Sequence, residues 1–444
     1  MVLSGLDIYK LLPKTNCKEC GFATCLAFAM ALAQKRTSLD KCPHVSAQAK
    51  EALESASQPP IRLVTIGAGE TKLEIGNETV MYRHEQKFHH PAGIGFLVED
   101  TLSESDLAQR IAKIDALVFE RVGQTIRPDI VCLRNASGDK DRFVNAVRGL
   151  VAKLKLNLIL ESKDAATAEA GLCLCKERRP LILCPEGGKV DDFLRIANAH
   201  KVALAVTVKD LDEAAHMTET VKKGGVDDIV LCLTRRPLSK TVQDYTYIRR
   251  MALKKNFRAL GYPIIACTDS ADPHAELAEA ITYVMKYAGI VIVKNIDKDF
   301  VLPLLVARQD LYTDPQKPVQ VEPKIYEIGK VTKDSPVLIT TNFSITYFTV
   351  AGEVESSKVP SYILSCDSEG MSVLTAWAAE KFTAESIVQT MQKAGLDRFV
   401  GHKKVIIPGY VAVLSAKLED ESGWKVLVGP REASGIPNYL RNWK

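Results

Sequence analysis

Four cysteines near the start of the chain carry its clearest chemistry. Cys17, Cys20, Cys25 and Cys42 stand at C-x2-C-x4-C-x16-C, with Gly21 after the second and Pro43 after the fourth. Three thiolates close in sequence can wrap one side of a compact metal centre, and a fourth can close it after a helix. Such uneven spacing suits a cubane, whose four irons make a body wider than one ion. Structural zinc usually draws on two C-x2-C knuckles and only one is present, so zinc is the secondary reading. A disulfide conflicts with a reducing cytoplasm, where the chain is expected to reside. The spacing points to a [4Fe–4S] cluster.

Seven cysteines remain. Cys132, Cys184, Cys232, Cys267 and Cys366 fall in or at the ends of short β-type runs, where cysteine serves as a small buried apolar residue. Cys173 and Cys175 form a C-x-C with no third ligand nearby, so no second metal site is expected there. A net charge of +4 over 444 residues concentrates no basic field, and nucleic acid is not an expected partner. The opening MVLSGLDIYKLLPK lacks the apolar core of a signal peptide, and no stretch reaches the ~20 apolar residues of a membrane span.

The cluster cysteines need elements to hold them. Leu26–Ala33 reads as the return helix and Ser46–Glu54 as a second one. Ser55 to Pro60, ending in two prolines, stops that helix as a linker. Residues 1–57 are thus a small cluster domain, with metal in place of a full core. Residues 58–312 open on a β-rich prelude whose hairpin turn is expected at Gly76-Asn77. Eight apolar runs follow: Ile94–Val98, Ile130–Leu133, Leu158–Leu160, Leu181–Leu183, Val202–Val206, Ile229–Leu231, Ile264–Ala266 and Ile290–Val293. Each leads into helical spacing, as in ESDLAQRIAKIDALVFERV. Strands apolar on both faces lie in parallel sheets covered by helices, and eight such units predict a closed (β/α)8 TIM barrel.

Function in such a barrel sits at the carboxyl ends of the strands. Those positions hold Glu99-Asp100, Asn135, Glu161-Ser162, Pro185-Glu186, Thr207, Thr234-Arg235-Arg236, Thr268-Asp269 and Lys294-Asn295. Half are helix-capping types, so capping is preferred here over a polar pocket. His84, His89 and His90 read as solvated loop.

A proline-rich linker, 313–325, carries Pro315, Pro318 and Pro323 and breaks all periodicity between Leu311 and Lys330. Residues 326–444 then read as an open, Rossmann-like α/β domain. Its strands are expected at Val337–Thr341, Tyr362–Cys366, Val405–Ile407 and Lys425–Val428. Their ends, ITTNFSIT, CDSEGMSVL, IPGYVAVL and VGPREASGIP, open into helices and form a shallow polar floor for a wide planar ligand. Neither GxGxxG nor GxxxxGK[ST] occurs, which argues against a dinucleotide and a nucleoside triphosphate.

The four-cysteine module, the barrel and the segments TTNFSITYF, CDSEGMSVLTAWAAEKF and IIPGYVAVLSAKLEDESGWKVLVGPREASGIP together resemble the large subunit of the corrinoid iron–sulfur protein of the reductive acetyl-CoA pathway. The resemblance covers all three segments. It implies a corrinoid on the C-terminal domain whose cobalt, rather than any side chain, is the reactive centre. Co(I) would take a methyl group from methyltetrahydrofolate through a separate methyltransferase and pass it to acetyl-CoA synthase/CO dehydrogenase. A small corrinoid iron–sulfur subunit would complete a heterodimer, and a low-potential donor would feed the cluster. By the same resemblance the corrinoid rests on Thr340, Thr341, Asn342, Phe343 and Thr346, on Gly370, Met371, Ser372, Val373 and Leu374, on Gly409, and on Arg431, Glu432, Ala433, Ser434 and Gly435. No D-x-H-x-x-G loop is present, and the one histidine after His274 is His402, just before a strand. The cobalt is therefore expected base-off, which eases its reduction, and the cluster returns the electron that oxidation removes. The alternatives are a pterin-binding-type barrel methyltransferase using Asn135, Asp269 and Asn295, and an electron-transfer module without corrinoid. The proline-rich segment and Pro59-Pro60 are the expected hinges.

Overall fold

The computed structural model describes residues 5–34, 36–46, 49–50 and 59–443. Most of the helix expected at Ser46–Glu54, and the linker from Ser55 to Gln58, lie outside them. Two compact units result: residues to Leu117 with Pro128–Tyr312, and Val118–Arg127 with the chain from Thr313 onward.

In the N-terminal module, helices Gly5–Leu11 and Cys25–Ala33 bury Ile8, Leu12, Phe28 and Ala29 around Cys25 and Cys42. Thr24 caps the second helix by accepting from the Ala27 N–H at 3.1 Å.

The strands up to Tyr312 are β1 (Val64–Ile66), β2 (Leu73–Ile75), β3 (Gly93–Glu99), β4 (Phe119–Arg121), β5 (Gln124–Ile126), β6 (Ile130–Arg134), β7 (Asn157–Glu161), β8 (Leu181–Cys184), β9 (Leu204–Val208), β10 (Ile229–Leu233), β11 (Ile264–Cys267) and β12 (Ile290–Val293). Eight of them close a barrel in the order β10-β11-β12-β3-β6-β7-β8-β9, all parallel, as the eight apolar runs predict. Its interior is packed by Ile130, Ile159, Leu183, Ala205 and Ile265, and the β1–β2 hairpin adds Val64, Ile66 and Ile75 to that core. The hairpin turn, however, runs through Gly67–Lys72. Gly76 and Asn77 are left-handed but follow β2, where the Asn77 N–H donates to the Ile61 carbonyl.

A second expectation fails in a more informative place. The helical reading of ESDLAQRIAKIDALVFERV stops at Asp115, and Phe119–Ile126 is the β4–β5 hairpin, which belongs to the second unit. There Lys324 donates to the Gly123 carbonyl at 3.2 Å and Val122 packs on the C-terminal core. The chain therefore crosses between the units at three points rather than at one linker.

The C-terminal sheet contains β13 (Ile325–Ile328), β14 (Val337–Thr341), β15 (Ser361–Cys366), β16 (Lys404–Ile407) and β17 (Lys425–Val428) in the order β13-β15-β14-β16-β17. The four expected strands are parallel. The fifth, β13, is an antiparallel edge strand inside the stretch expected to lack periodicity. Helices Ser344–Ser357 and Ile436–Arg441 cover one face; Ala384–Ala394 and Ser415–Ser422 cover the other. Much of the proline-rich segment is likewise fastened to this unit: the Val321 N–H donates to the Asn342 carbonyl, and the Ser344 N–H to that of Val319.

Candidate functional site

Cys25 opens the helix Cys25–Ala33, at the positive end of its dipole. Its sulfur accepts the Asn16 N–H at 3.3 Å while its own N–H donates to Asn16 Oδ1 at 2.8 Å. Lys14, Asn16, Lys18 and Gly21 are all left-handed, so the loop carrying Cys17 and Cys20 coils tightly on itself. Cys20, Cys25 and Cys42 share one apolar cluster with Phe22 and Phe28. Cys17 faces its outer side, its sulfur within 4.8 Å of a Glu19 carboxylate oxygen and a His44 ring nitrogen. Four cysteine sulfurs at the edge of an apolar pocket, one of them accepting a backbone N–H, fit an iron–sulfur cluster.

At the C-terminal sheet the chain leaves β14 for β15 on one side and later enters β16 on the other. That reversal opens a crevice outside the carboxyl ends of the strands. It measures about 120 Å3 and is lined by Thr340, Thr346, Val373, Pro408, Tyr410, Arg431 and Ala433, among others. The hydroxyls of Thr340, Thr341 and Ser365 are buried at this edge without a hydrogen-bond partner. Such orphans await a ligand or water, since leaving them unpaired costs about 1–3 kcal/mol each.

Asn342, 1 % exposed, turns out to be the knot of the loops. Its Oδ1 accepts from the Ser368 N–H, the Ser368 hydroxyl and the Gly370 N–H at 2.8–3.0 Å. Its Nδ2 donates to Gln320 and Asp367 at 3.1 and 3.2 Å. Gly409 sits where a Cβ would lie 2.6 Å from the Gly429 carbonyl, so glycine is what lets the β16 and β17 loops meet. Ser372 precedes the helix Val373–Ala378 and Phe343 the helix Ser344–Ser357, while Ala433–Gly435 form a 3₁₀ turn. Glu432 accepts a hydrogen bond from Tyr410, and Met371 packs into the core below. Tyr410, Gln320, Asp367 and Ser368 were not singled out from sequence, although Tyr410 lies in the quoted IPGYVAVL loop and Asp367 and Ser368 in CDSEGMSVL. Around these loops Ile345, Phe348, Leu374, Trp377, Tyr410, Val413 and Val428 are exposed. His402 sits before the amino end of β16, away from the crevice, with Nε2 against the Ser335 carbonyl at 2.9 Å and Nδ1 near the Lys404 N–H at 3.3 Å.

A family model described as CO dehydrogenase/acetyl-CoA synthase delta subunit matches residues 63–440, and an Fe–S cluster model matches residues 12–44. The chain is 46 % identical over 441 residues to the corrinoid/iron–sulfur protein large subunit of Moorella thermoacetica, covering 99 % of each. It is 34 % identical over 453 residues to the acetyl-CoA decarbonylase/synthase complex subunit gamma of Methanothermobacter thermautotrophicus, again with 99 % of each covered. The gamma subunit of Archaeoglobus fulgidus is 35 % identical over 466 residues, with 100 % of this chain and 99 % of the relative covered. The chain belongs to the corrinoid/iron–sulfur protein large-subunit family.

In this large-subunit chain the barrel mouth departs from the capping expectation. The side-chain caps of the barrel helices are Ser103, Asp139, Asp164, Asp210 and Asp272, none of them at the strand ends named above. Asn135 instead donates to Asp100 at 2.6 Å and accepts from Ser162 at 3.2 Å, tying three loops together. Arg134 and Glu161, paired at 2.8 Å, face a cavity of about 640 Å3 with Thr207, Thr268, Asp269 and Lys294. Two cysteines expected to be buried, Cys232 and Cys267, are partly exposed on it, whereas Cys132, Cys184 and Cys366 are buried as expected. Cys173 is exposed and Cys175 buried on one helix, which separates the C-x-C pair. No described helix is long and apolar enough to cross a membrane.

Proposed function

We propose that this chain carries a base-off corrinoid on its C-terminal unit and a [4Fe–4S] cluster on its N-terminal module, as the methyl-carrying subunit of an acetyl-CoA pathway. The observation that carries the reading is the carboxyl edge of the C-terminal sheet, where the unpartnered hydroxyl of Thr340 lines an apolar crevice, those of Thr341 and Ser365 are buried beside it, and the loops around it expose an apolar rim. A crevice of about 120 Å3 is too small for a whole macrocycle, which would rest on the loops Asn342–Thr346, Gly370–Leu374, Gly409 and Arg431–Gly435. Thr340, which lines the crevice, would bond an amide group of such a ligand, while Asn342 holds the loops that would carry it. A corrinoid supplies a cobalt able to take up and release a methyl group, and an iron–sulfur cluster supplies single electrons at low potential. His402 is spent on backbone groups at the opposite end of β16 and brings no imidazole to the edge. Cys17, Cys20, Cys25 and Cys42 hold the cluster. A large subunit implies a small one. A methyltetrahydrofolate methyltransferase, acetyl-CoA synthase/CO dehydrogenase and a low-potential donor complete the partners, in the cytoplasm.

Iron and cobalt counts with an absorption spectrum of anaerobically purified heterodimer test this. About four irons and one cobalt per large subunit are expected. Cys20→Ala should lose the iron, keep the cobalt and abolish reductive reactivation. Iron without cobalt returns the electron-transfer module, and zinc in place of iron overturns the cluster. Nitrogen superhyperfine splitting in the Co(II) paramagnetic resonance spectrum, lost in His402→Ala, overturns the base-off assignment.

A further inference from the structure

The amino end of the barrel, opposite the mouth, holds a small cavity of about 30 Å3. Gly76, Glu78, Phe88 and His90, from the segment that follows β2, line it together with Arg249 and Tyr287. Glu78 is buried, and one of its oxygens is already used: Oε1 accepts the N–H groups of His89 and His90 at 2.7 and 2.8 Å. Its Oε2 and the Nδ1 of His90 are buried without a hydrogen-bond partner among the described residues. His90, expected as solvated loop, thus turns a ring nitrogen inward. Nδ1 is the ring nitrogen nearer the backbone, and the backbone N–H already touches the Glu78 carboxylate, so the two orphaned atoms are neighbours.

Arg249, on the helix Leu238–Lys254, supplies a third polar group. Its Nη2 stops 3.8 Å from Glu78 Oε2, beyond hydrogen-bond reach, although the two side chains are only 5 % and 8 % exposed. The guanidinium is held at that distance. Its Nε and Nη2 donate to the Val80 carbonyl at 3.0 and 2.7 Å, and its carbon lies over the rings of Phe88 and Tyr287 at 5.3 and 4.8 Å. Nη2 keeps a second hydrogen to give. A buried ion pair set just beyond contact, beside two unpaired polar atoms, is the arrangement that a bridging water completes.

Charge and size limit what can enter. A cation would meet the Arg249 guanidinium and an anion the Glu78 carboxylate, so the ligand is neutral. About 30 Å3 is room for one water molecule, and a buried water typically makes about three hydrogen bonds. We propose that one internal water binds here, donating to Glu78 Oε2, accepting from Arg249 Nη2 and bonding His90 Nδ1, which donates or accepts according to its tautomer. It pins the segment Gly76–His90 to the helix Leu238–Lys254 and so fastens the cover of the barrel's amino end. The site is independent of the corrinoid and cluster assignments.

Two measurements on the full-length chain, purified anaerobically, test this. A crystal structure fine enough to show ordered water should place density about 3 Å from Glu78 Oε2, His90 Nδ1 and Arg249 Nη2. In solution, magnetic relaxation dispersion of water oxygen should count one fewer long-lived water in His90→Leu than in the wild type. His90→Asn, whose amide stands near the place of Nδ1, should keep the wild-type number. A direct Glu78–Arg249 hydrogen bond with no density between them would overturn the proposal. So would contacts of about 2.4 Å, as a cation makes with oxygen, or an unchanged water count in folded His90→Leu. Should that variant fail to fold, the wild-type density decides alone.

Discussion

The barrel and the C-terminal sheet obey one rule and finish it differently. The barrel is all parallel and the sheet is parallel but for its edge strand β13, and both gather their loops at the carboxyl ends of the parallel strands. At the barrel mouth the polar groups are already paired: Arg134 with Glu161, Thr268 with Glu276, and Tyr283 with Glu279. At the sheet edge Thr340, Thr341 and Ser365 are buried and unpaired, and the surrounding rim is apolar. A mouth whose polar groups are paired stands complete as it is. An edge with orphaned hydroxyls is complete only when something covers it.

Each edge is tied by an asparagine just past a strand, and this allows the sharpest test. Asn342→Ala removes five side-chain bonds at a fully buried site. It should destabilise the C-terminal unit by about 3 kcal/mol or more and weaken corrinoid uptake at least ~100-fold. Asn135→Ala cuts the tie to Asp100 and Ser162 and should cost about 1–2 kcal/mol, with corrinoid uptake within ~3-fold of wild type. Denaturant titration and cobalt uptake read both effects. An equal loss of uptake in the two variants would bring the barrel mouth into methyl transfer and revive the barrel-enzyme reading.

A second matched pair separates pairing from waiting. Thr340→Val deletes an unsatisfied hydroxyl, so the corrinoid-free protein should gain about 1 kcal/mol while corrinoid affinity falls ~10-fold. Thr268→Val strips a donor from the buried Glu276 and from the Ile292 carbonyl, and should lose about 1–2 kcal/mol with affinity unchanged. Opposite signs in stability are the diagnostic result. If Thr340→Val also destabilises, its hydroxyl is bonded in the free protein and the edge is not waiting for a ligand.

Much of this was legible in the sequence, because periodicity and turn chemistry agreed. Eight runs apolar on both faces led to eight barrel strands, and four strand-end loops led to one crevice. What escaped did so for physical reasons. The β4–β5 turn is Val122-Gly123 with both residues left-handed, and a β-branched residue there gives no turn signal. The pairing of Arg134 with Glu161, and the exposure of Cys232 and Cys267, depend on neighbouring strands that no local window contains. Asn342 was named as a contact, but only the folded loops show that its side chain is consumed in holding them.

The thiols beneath the two edges extend the contrast to pH. Burial pushes Cys366, under the sheet edge, up to about 12. In the unfolded chain it ionises near its ordinary value, so above about pH 9 the folded state holds a proton that the unfolded state has released. Stability must then fall as pH rises, by up to about 1.4 kcal/mol per pH unit for this one group, until the folded thiol itself ionises. Cys366→Ala should flatten that alkaline slope for the C-terminal unit in urea titrations between pH 7.5 and 10.5. Cys232→Ala should not, because the Cys232 pKa is lowered rather than raised. An unchanged slope in Cys366→Ala would mean its sulfur is reachable by solvent.

The smallest expected effect concerns the rim. One exposed apolar side chain is ordinary, but Ile345 at 66 % and Val413 at 69 % exposure belong to a group of seven in the loops and helices that open from the same strand ends. Nothing in the free unit is stabilised by leaving them in water, so Ile345→Ser and Val413→Ser should each change its stability by no more than about 0.5 kcal/mol. If the corrinoid and the small subunit cover this rim, each substitution removes buried apolar area and weakens heterodimer formation by about 1 kcal/mol, roughly fivefold. Lys163→Ser, at the rim of the barrel mouth, serves as the control and should leave heterodimer formation within twofold. Loss in the control and none in the rim variants would place the partner on the barrel mouth and leave the apolar edge without a function.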